Sequence, residues 1–264
     1  MKRIAILLVF IIVGLKSTAQ DSTVGYFSSI DGTKIYYEVR GKGAPIVLVH
    51  GFIANGESWK RTPLFRDLLT AGYQVISFDM RGNGKSDKPH SPEAYANDAE
   101  SKDIIGLLDF LKIKSYSVVG YSRGSIITAR LLVLDKRIKS AVMGGMGDGF
   151  TDPEWPRRIM FYKALMGEPV KELEGAVKYV KDSGLDQLAL AYLQKEQPST
   201  SPNALAKIKQ PVLVISGDKD PDNGSPEALS KMMPAAILQF VPGDHGSTLR
   251  SQAFADAVLA FLKK

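Results

Sequence analysis

Ser122 has the surroundings that most invite chemistry. It stands in Gly120-Tyr121-Ser122-Arg123-Gly124, a G-x-S-x-G between the apolar run Tyr116 to Gly120 and a helical pattern ending near Asp135. A chain passing there from a buried strand into a helix must turn in almost no space, and the two glycines remove the Cβ atoms that would collide. Ser122 is then lifted on a strained turn, its oxygen facing solvent and its backbone near the positive end of a helix. The plainer reading is a glycine-flanked helix start with Ser122 only capping. A serine hydroxyl is a poor nucleophile at neutral pH, so nucleophilic work requires a base within hydrogen-bond reach and a third group that fixes the base's tautomer.

The chain offers three histidines. His50 ends an apolar strand before Gly51, where backbone donors are needed, and His90 lies in the polar Lys88 to Pro92 loop. His245 follows the last strand in Gly243-Asp244-His245-Gly246 and is the best base. The acid is expected after the strand Pro211 to Ser216, where Gly217-Asp218-Lys219-Asp220 holds two candidates. Asp220, further into the loop, is preferred, which leaves Asp218 to bond turn amides. Strand-end loops of one sheet meet at one edge, so residues this far apart in sequence can converge. The order Ser122, Asp220, His245 differs from that of the two unrelated serine-protease architectures.

The elements that must position these residues alternate. Tyr26 to Arg40 reads as a hairpin around Asp31-Gly32. Strands follow at Ile46 to Val49, Tyr73 to Phe78, Tyr116 to Gly120 and Ile138 to Met143, with helical spacing at Trp59 to Ala71 and Asn97 to Leu111. Continuous apolar runs mark strands buried on both faces. The pattern resumes with Pro211 to Ser216, a helix over Pro226 to Met233, the strand Ala236 to Val241 and a closing helix over Gln252 to Leu262. The expected fold class is α/β, an open, mostly parallel sheet with helices on both faces. Alternation lapses between Gly147 and Lys207, where Trp155 to Met166, Val170 to Lys181 and Leu185 to Lys195 look like helices without a strand. Residues 148–207 are therefore expected to form a small inserted helical cap.

Composition bounds the rest. With 264 residues, 44% of them hydrophobic and 23% charged, the chain can bury a sizeable core, which excludes disorder. It has no cysteine, so disulfides, thiolate metal sites and a catalytic cysteine are excluded, and three scattered histidines do not suggest zinc. Met1 to Gln20 opens with Lys2 and Arg3, runs apolar from Ile4 to Leu15 and ends in Ser17-Thr18-Ala19. That is the layout of a secretory signal peptide, and the run is too short for a spanning anchor. Residues 1–19 are expected to be removed after Ala19, leaving residues 20–264 as one domain, periplasmic or secreted, with no stable membrane anchor. Removal takes three cations and no acid, so the formal charge of +6 falls to +3. Lys and Arg are spread among acids, which speaks for solubility and against a nucleic-acid partner.

The chain resembles the α/β-hydrolase superfamily, in its serine-nucleophile, esterase-like branch. The resemblance is carried by His50-Gly51-Phe52, Asp79-Met80-Arg81-Gly82-Asn83-Gly84-Lys85-Ser86, the Ser122 elbow, Gly217 to Asp220 and Gly243 to Gly246. It implies the α/β-hydrolase fold, with Ser122 as nucleophile, Asp220 as orienting acid and His245 as base. It also implies that the backbone N–H groups of Phe52 and Arg123 form an oxyanion hole. Members with an aspartate nucleophile, the haloalkane dehalogenases and epoxide hydrolases, are set aside because position 122 is serine. Arg123 departs from the usual residue after the nucleophile; its side chain either forms a salt bridge within the scaffold or meets an anionic substrate group.

The chemistry expected is hydrolysis of small, largely apolar carboxylic esters through an acyl-enzyme, with no metal or cofactor required. Alternatives are a ligand-binding protein with little turnover, or a C-C bond hydrolase or perhydrolase using the same triad. Phe52, Trp59, Tyr121, Phe150, Trp155, Phe161 and Tyr162 are the aromatics expected near the pocket. Arg157 and Arg158 read first as a solvated helix face and second as a means of admitting an anionic tail.

Overall fold

The computed structural model of the protein describes residues 22–221 and 223–263; the expected leader over residues 1–19 lies outside them. Strands β1 (Ser22–Ser28) and β2 (Lys34–Arg40) form the hairpin. Its turn is set by Asp31, whose carboxylate accepts the Thr33 N–H at 3.0 Å, and by Gly32 at φ +85°. Next come β3 (Pro45–Val49), α1 (Pro63–Thr70), β4 (Gln74–Phe78), α2 (Ala99–Phe110), β5 (Tyr116–Tyr121), α3 (Arg123–Leu134) and β6 (Ile138–Gly144). Four helices without an intervening strand follow: α4 (Pro156–Leu165), α5 (Glu174–Asp182), α6 (Gln187–Lys195) and α7 (Pro202–Leu205). The chain closes with β7 (Val212–Gly217), α8 (Pro226–Lys231), β8 (Ala236–Val241), α9 (His245–Leu249) and α10 (Gln252–Leu262).

The strands lie in the order β1-β2-β4-β3-β5-β6-β7-β8. β2 runs antiparallel to both its neighbours, and every pairing from β4 to β8 is parallel. The α/β class and the mostly parallel sheet are as the alternation of apolar runs implies. Successive residues of β3 explain why such runs form: Val47 and Val49 enter one core, with Ile126, Ile127 and Leu131 of α3. Ile46 and Leu48 enter the other, with Leu64 and Leu68 of α1 and Phe254 and Val258 of α10. Both faces are dry, so no polar residue can alternate in. From β3 the chain winds first to β4 and then back to β5 on the other side, and Ser122 stands at that switch, where the strand ends leave a crevice.

Several helical stretches depart from the expected bounds, two of them for a plain local reason. The pattern from Trp59 to Ala71 splits into a 3₁₀ turn over Gly56–Arg61 and α1, because Thr62 accepts the Phe65 N–H at 3.3 Å and Pro63 opens the new helix. Asn97 and Asp98 have φ of 56° and 61°, so α2 starts only at Ala99. The segment from Val170 divides into a 3₁₀ turn, Lys171–Leu173, and α5.

Candidate active site

Ser122 has φ 55° and ψ −125°, a conformation that costs on the order of 1–3 kcal/mol in a non-glycine residue and persists only where its surroundings hold it. Here they do. The Ser122 N–H donates to the Gly144 carbonyl of β6 at 2.7 Å, and its own carbonyl accepts the Ser125 N–H at 2.8 Å. The flanking glycines are required by close approach: a Cβ on Gly124 would lie 2.1 Å from the Val49 carbonyl oxygen, and one on Gly120 would lie 2.3 Å from that of Gly124. Helix α3 can therefore start directly against the ends of β3 and β5.

His245 Nε2 lies 3.0 Å from Ser122 Oγ, and its Nδ1 lies 2.8 Å from Asp220 Oδ2. With a carboxylate at Nδ1 the ring proton sits there, and Nε2 is left to accept from the serine hydroxyl. The Asp220 side chain is 2% exposed. Expected as a loop residue, His245 instead opens the short helix α9. Asp244 is the reason: its carboxylate accepts the N–H groups of Gly246 and Ser247 at 3.0 and 2.7 Å, and Ser247 Oγ accepts the Asp244 N–H at 2.9 Å. The Ser247 amide and hydroxyl hold the Asp244 carboxyl below its ordinary range. From below, the Tyr121 hydroxyl donates to the His245 carbonyl at 2.6 Å, and burial pushes that phenol up so that it stays a neutral donor. Asp218 does not reach the histidine; it accepts the Gly243 N–H at 2.9 Å and ties the β7 loop to the turn before His245.

The other histidines do different work. His50, 1% exposed, donates from Nδ1 to the Gly51 carbonyl at 2.8 Å and accepts the Met80 N–H at Nε2 at 3.0 Å. Burial pushes it below its ordinary value, so it is a neutral strut under the Gly51-Phe52 turn. His90 pairs on the surface with Asp186 at 2.8 Å. Asp79 accepts the N–H groups of Gly56 and Lys85 at 2.8 and 2.7 Å, which makes its loop a brace. Of the two readings of Arg123, the scaffold one describes the structure: its Nη atoms meet both carboxylate oxygens of Glu100 at 2.5 and 2.6 Å, with each side chain 3% exposed, and Nη2 also donates to the Leu193 carbonyl at 3.0 Å. The partner Glu100, 23 residues earlier on α2, carried no local signal.

Ser122 and His245 open on a cavity of about 200 Å³. The backbone of Arg123, first residue of α3, is among those whose N–H has no acceptor within the helix. Phe52 lies beside it in the cavity wall, and its ring meets Phe161 of α4 edge-on at 5.5 Å, joining the turn after β3 to the helices between β6 and β7. Of the aromatics expected here, Phe52, Trp155 and Phe161 line the cavity, whereas Trp59, Tyr121 and Phe150 are buried in the sheet cores and Tyr162 packs among α4 to α6. Arg157 and Arg158 line the cavity, contrary to the solvated face expected first. Asn223 was missed: its Nδ2 donates to the Gly145 carbonyl at 3.1 Å and lies 3.5 Å from His245 Nδ1. Its place three residues past Asp220 was the available clue. Among the described residues, no three of His, Asp and Glu cluster so as to hold a metal ion.

Comparison with known proteins agrees with this fold. A family described as the α/β hydrolase fold matches residues 44–174. A non-heme haloperoxidase of Rhodococcus erythropolis is 26% identical over 278 residues, 90% of this chain and 99% of that one. A relative from Synechocystis sp. is 41% identical over 111 residues, a match that spans only 39% of its own length. Among solved structures, a bromoperoxidase from Bacillus anthracis superposes with a TM-score of 0.77 at 25% identity, over 92% of this chain and 100% of that one. Fold and sequence similarity lead to one place, and the chain belongs to the α/β-hydrolase superfamily, a family of hydrolase enzymes.

Proposed function

We propose that the protein is a serine hydrolase of small carboxylic esters, with Ser122 as nucleophile, His245 as base and Asp220 as the acid that orients it. The observation that carries this reading is the unbroken chain Ser122 Oγ, His245 Nε2, His245 Nδ1, Asp220 Oδ2, opening on one compact cavity. Ser122 Oγ attacks the ester carbonyl while His245 Nε2 takes its proton, and the resulting oxyanion is held by the Phe52 and Arg123 amides. Each such donor is typically worth about 2.7 to 4 kcal/mol in kcat. Collapse breaks the C–O bond, and His245 returns the proton to the leaving alcohol. Water, deprotonated by the same histidine, then releases the acid and restores Ser122.

A cavity of about 200 Å³ is below the roughly 300–1,000 Å³ usual for drug-sized ligands, so short acyl chains fit and polymers do not. The test is kcat/KM across p-nitrophenyl esters of rising acyl length, with a peptide and a triglyceride emulsion alongside, and labelling by a fluorophosphonate. Ser122→Ala abolishes both labelling and turnover. Comparable turnover in that variant, or a rate rising steadily to long chains, overturns the reading. A second reading draws on the haloperoxidase and bromoperoxidase names of the relatives. Hydrogen peroxide, attacking the acyl-enzyme in place of water, would give a peracid with no change at the protein. Peracid formation with acetate and peroxide, assayed by halide oxidation, distinguishes it.

A further inference from the structure

We propose that the cap side of the cavity is an anion subsite, built by Arg158 of α4 and Gln194 of α6, that receives a carboxylate carried by the ester substrate. The substrate class is then the half-ester of a short dicarboxylic acid, or a lactone bearing a carboxylate. Turnover of such a substrate rests on the ester-hydrolase reading; binding of the carboxylate does not.

Arg158, half-buried, differs from four other buried or half-buried arginines. Arg81, Arg123, Arg130 and Arg137 each meet a carboxylate, on Asp103, Glu100, Asp98 and Asp135 in turn. Arg158 meets only neutral carbonyls: Nη1 donates to Gln194 and Lys195 at 3.1 and 2.7 Å, and Nη2 to Pro153 at 2.6 Å. Its charge is not neutralised. Of the five N–H donors of a guanidinium, those bonds take three, and the Nε donor is sealed from solvent with no acceptor. Nε and the remaining Nη2 donor form a fixed fork that would match the two oxygens of a carboxylate once the side chain turns Nε toward the cavity.

Gln194 supplies the second half. It is 4% exposed as a residue and lines the same cavity, and its backbone carbonyl is one of the three that Arg158 holds. Its carboxamide offers the cavity an N–H donor beside that guanidinium. Arg157 also lines the cavity, and among its described lining residues there is no aspartate or glutamate. The remaining wall is largely apolar, with Phe52, Ile126, Met146, Trp155 and Phe161, which suits the methylenes between a carboxylate and a scissile ester. Holding the last carbonyls of α6 explains the Nη bonds of Arg158. It does not explain the idle Nε donor.

The experiment compares mono-p-nitrophenyl glutarate with p-nitrophenyl pentanoate, which has the same chain length without the charge. The parent protein is expected to favour the half-ester in kcat/KM by on the order of tenfold or more, as a desolvated charged hydrogen bond allows, and less so in high salt. Arg158→Gln and Gln194→Leu each collapse that ratio, and Arg158→Lys, which keeps charge but not the fork, falls between. Glutarate binding to the parent protein is measured by calorimetry in parallel and is lost in Arg158→Gln. A ratio near one in the parent, or an equal loss on both esters in Arg158→Gln, overturns the subsite. If neither ester is hydrolysed, the ester-hydrolase reading fails by itself; glutarate binding lost with Arg158 still upholds the subsite, and absence of glutarate binding ends it.

Discussion

Replacing Asp220 by Asn separates the two aspartates of the β7 loop and tests the proposed chemistry at its least conspicuous member. Asp220 Oδ2 lies 2.8 Å from His245 Nδ1, and the charge on that oxygen is what places the ring proton on Nδ1. An asparagine is nearly isosteric but carries an amide nitrogen. Asn223 already holds its Nδ2 3.5 Å from the same Nδ1, so the ring nitrogen would face amide donors and no carboxylate. The tautomer with its proton on Nε2 is then favoured, and Nε2 donates to Ser122 Oγ where it should accept. A wrong tautomer in a Ser-His-Asp constellation lowers kcat by on the order of 10⁴. At about 1.36 kcal/mol per decade that is roughly 5.4 kcal/mol of barrier. Asp218→Asn keeps an oxygen that can accept the Gly243 N–H and should cost no more than about 1 kcal/mol of stability, with little change in kcat. Steady-state hydrolysis of p-nitrophenyl butyrate, with urea unfolding of each variant, reads both quantities. If Asp218→Asn proves the more damaging to kcat, or Asp220→Asn keeps most of its activity while folded, the assignment of the acid is wrong.

Three further outcomes follow from other parts of the molecule. Glu100→Gln leaves the Arg123 guanidinium buried without its counter-charge and should destabilise the fold by about 3 to 5 kcal/mol in urea unfolding, whereas a cost under about 1 kcal/mol would show that the pair is not desolvated as the structure has it. His50 is held neutral by burial below the ordinary value of 6.5, so the unfolded chain takes up its proton first and stability falls as pH drops below about 6.5; unfolding at pH 7.5 and 5.5 should show a shallower fall in His50→Gln than in the parent, and equal slopes would refute it. Processing of the leader would leave a mature N terminus at Gln20 or close to it, which N-terminal sequencing of the native protein reads directly, and a chain still beginning at Met1 would restore the anchor.

The features legible in the sequence are those fixed by local sterics or by two-sided burial. A serine between glycines after a run of buried β residues admits few backbone solutions, and φ 55° at Ser122 is one of them. The parallel strands declare themselves because Ile46 to Val49 must satisfy two cores at once. Convergence of the β5, β7 and β8 loops follows from topology, and it was enough to bring Asp220 and His245 into view. What stayed hidden depends on side-chain direction within the helices between β6 and β7. Helix α4 has one side against the packed interior of α4 to α6, through Leu165, and another against the cavity, through Arg158 and Phe161. A helix that serves an apolar interior and a polar cavity has no single apolar stripe, so its arginines read as solvated.

The same distinction explains Arg123. Its amide is placed by the elbow, a local constraint, but its side chain is placed by Glu100 on α2 and by the Leu193 carbonyl on α6, two elements that meet it only in the folded chain. One residue thus joins the Ser122 turn, the sheet's flanking helix and the cavity's outer wall. The bidentate pair fixes Arg123 in orientation, so the side chain that the sequence left open between scaffold and substrate is committed to the scaffold. Arg158, whose acceptors are all carbonyls, keeps the charge that Arg123 has spent. On the proposed subsite, recognition of an anionic group falls to α4 and α6 rather than to the Ser122 turn, so specificity would change there without disturbing the turn that holds Ser122.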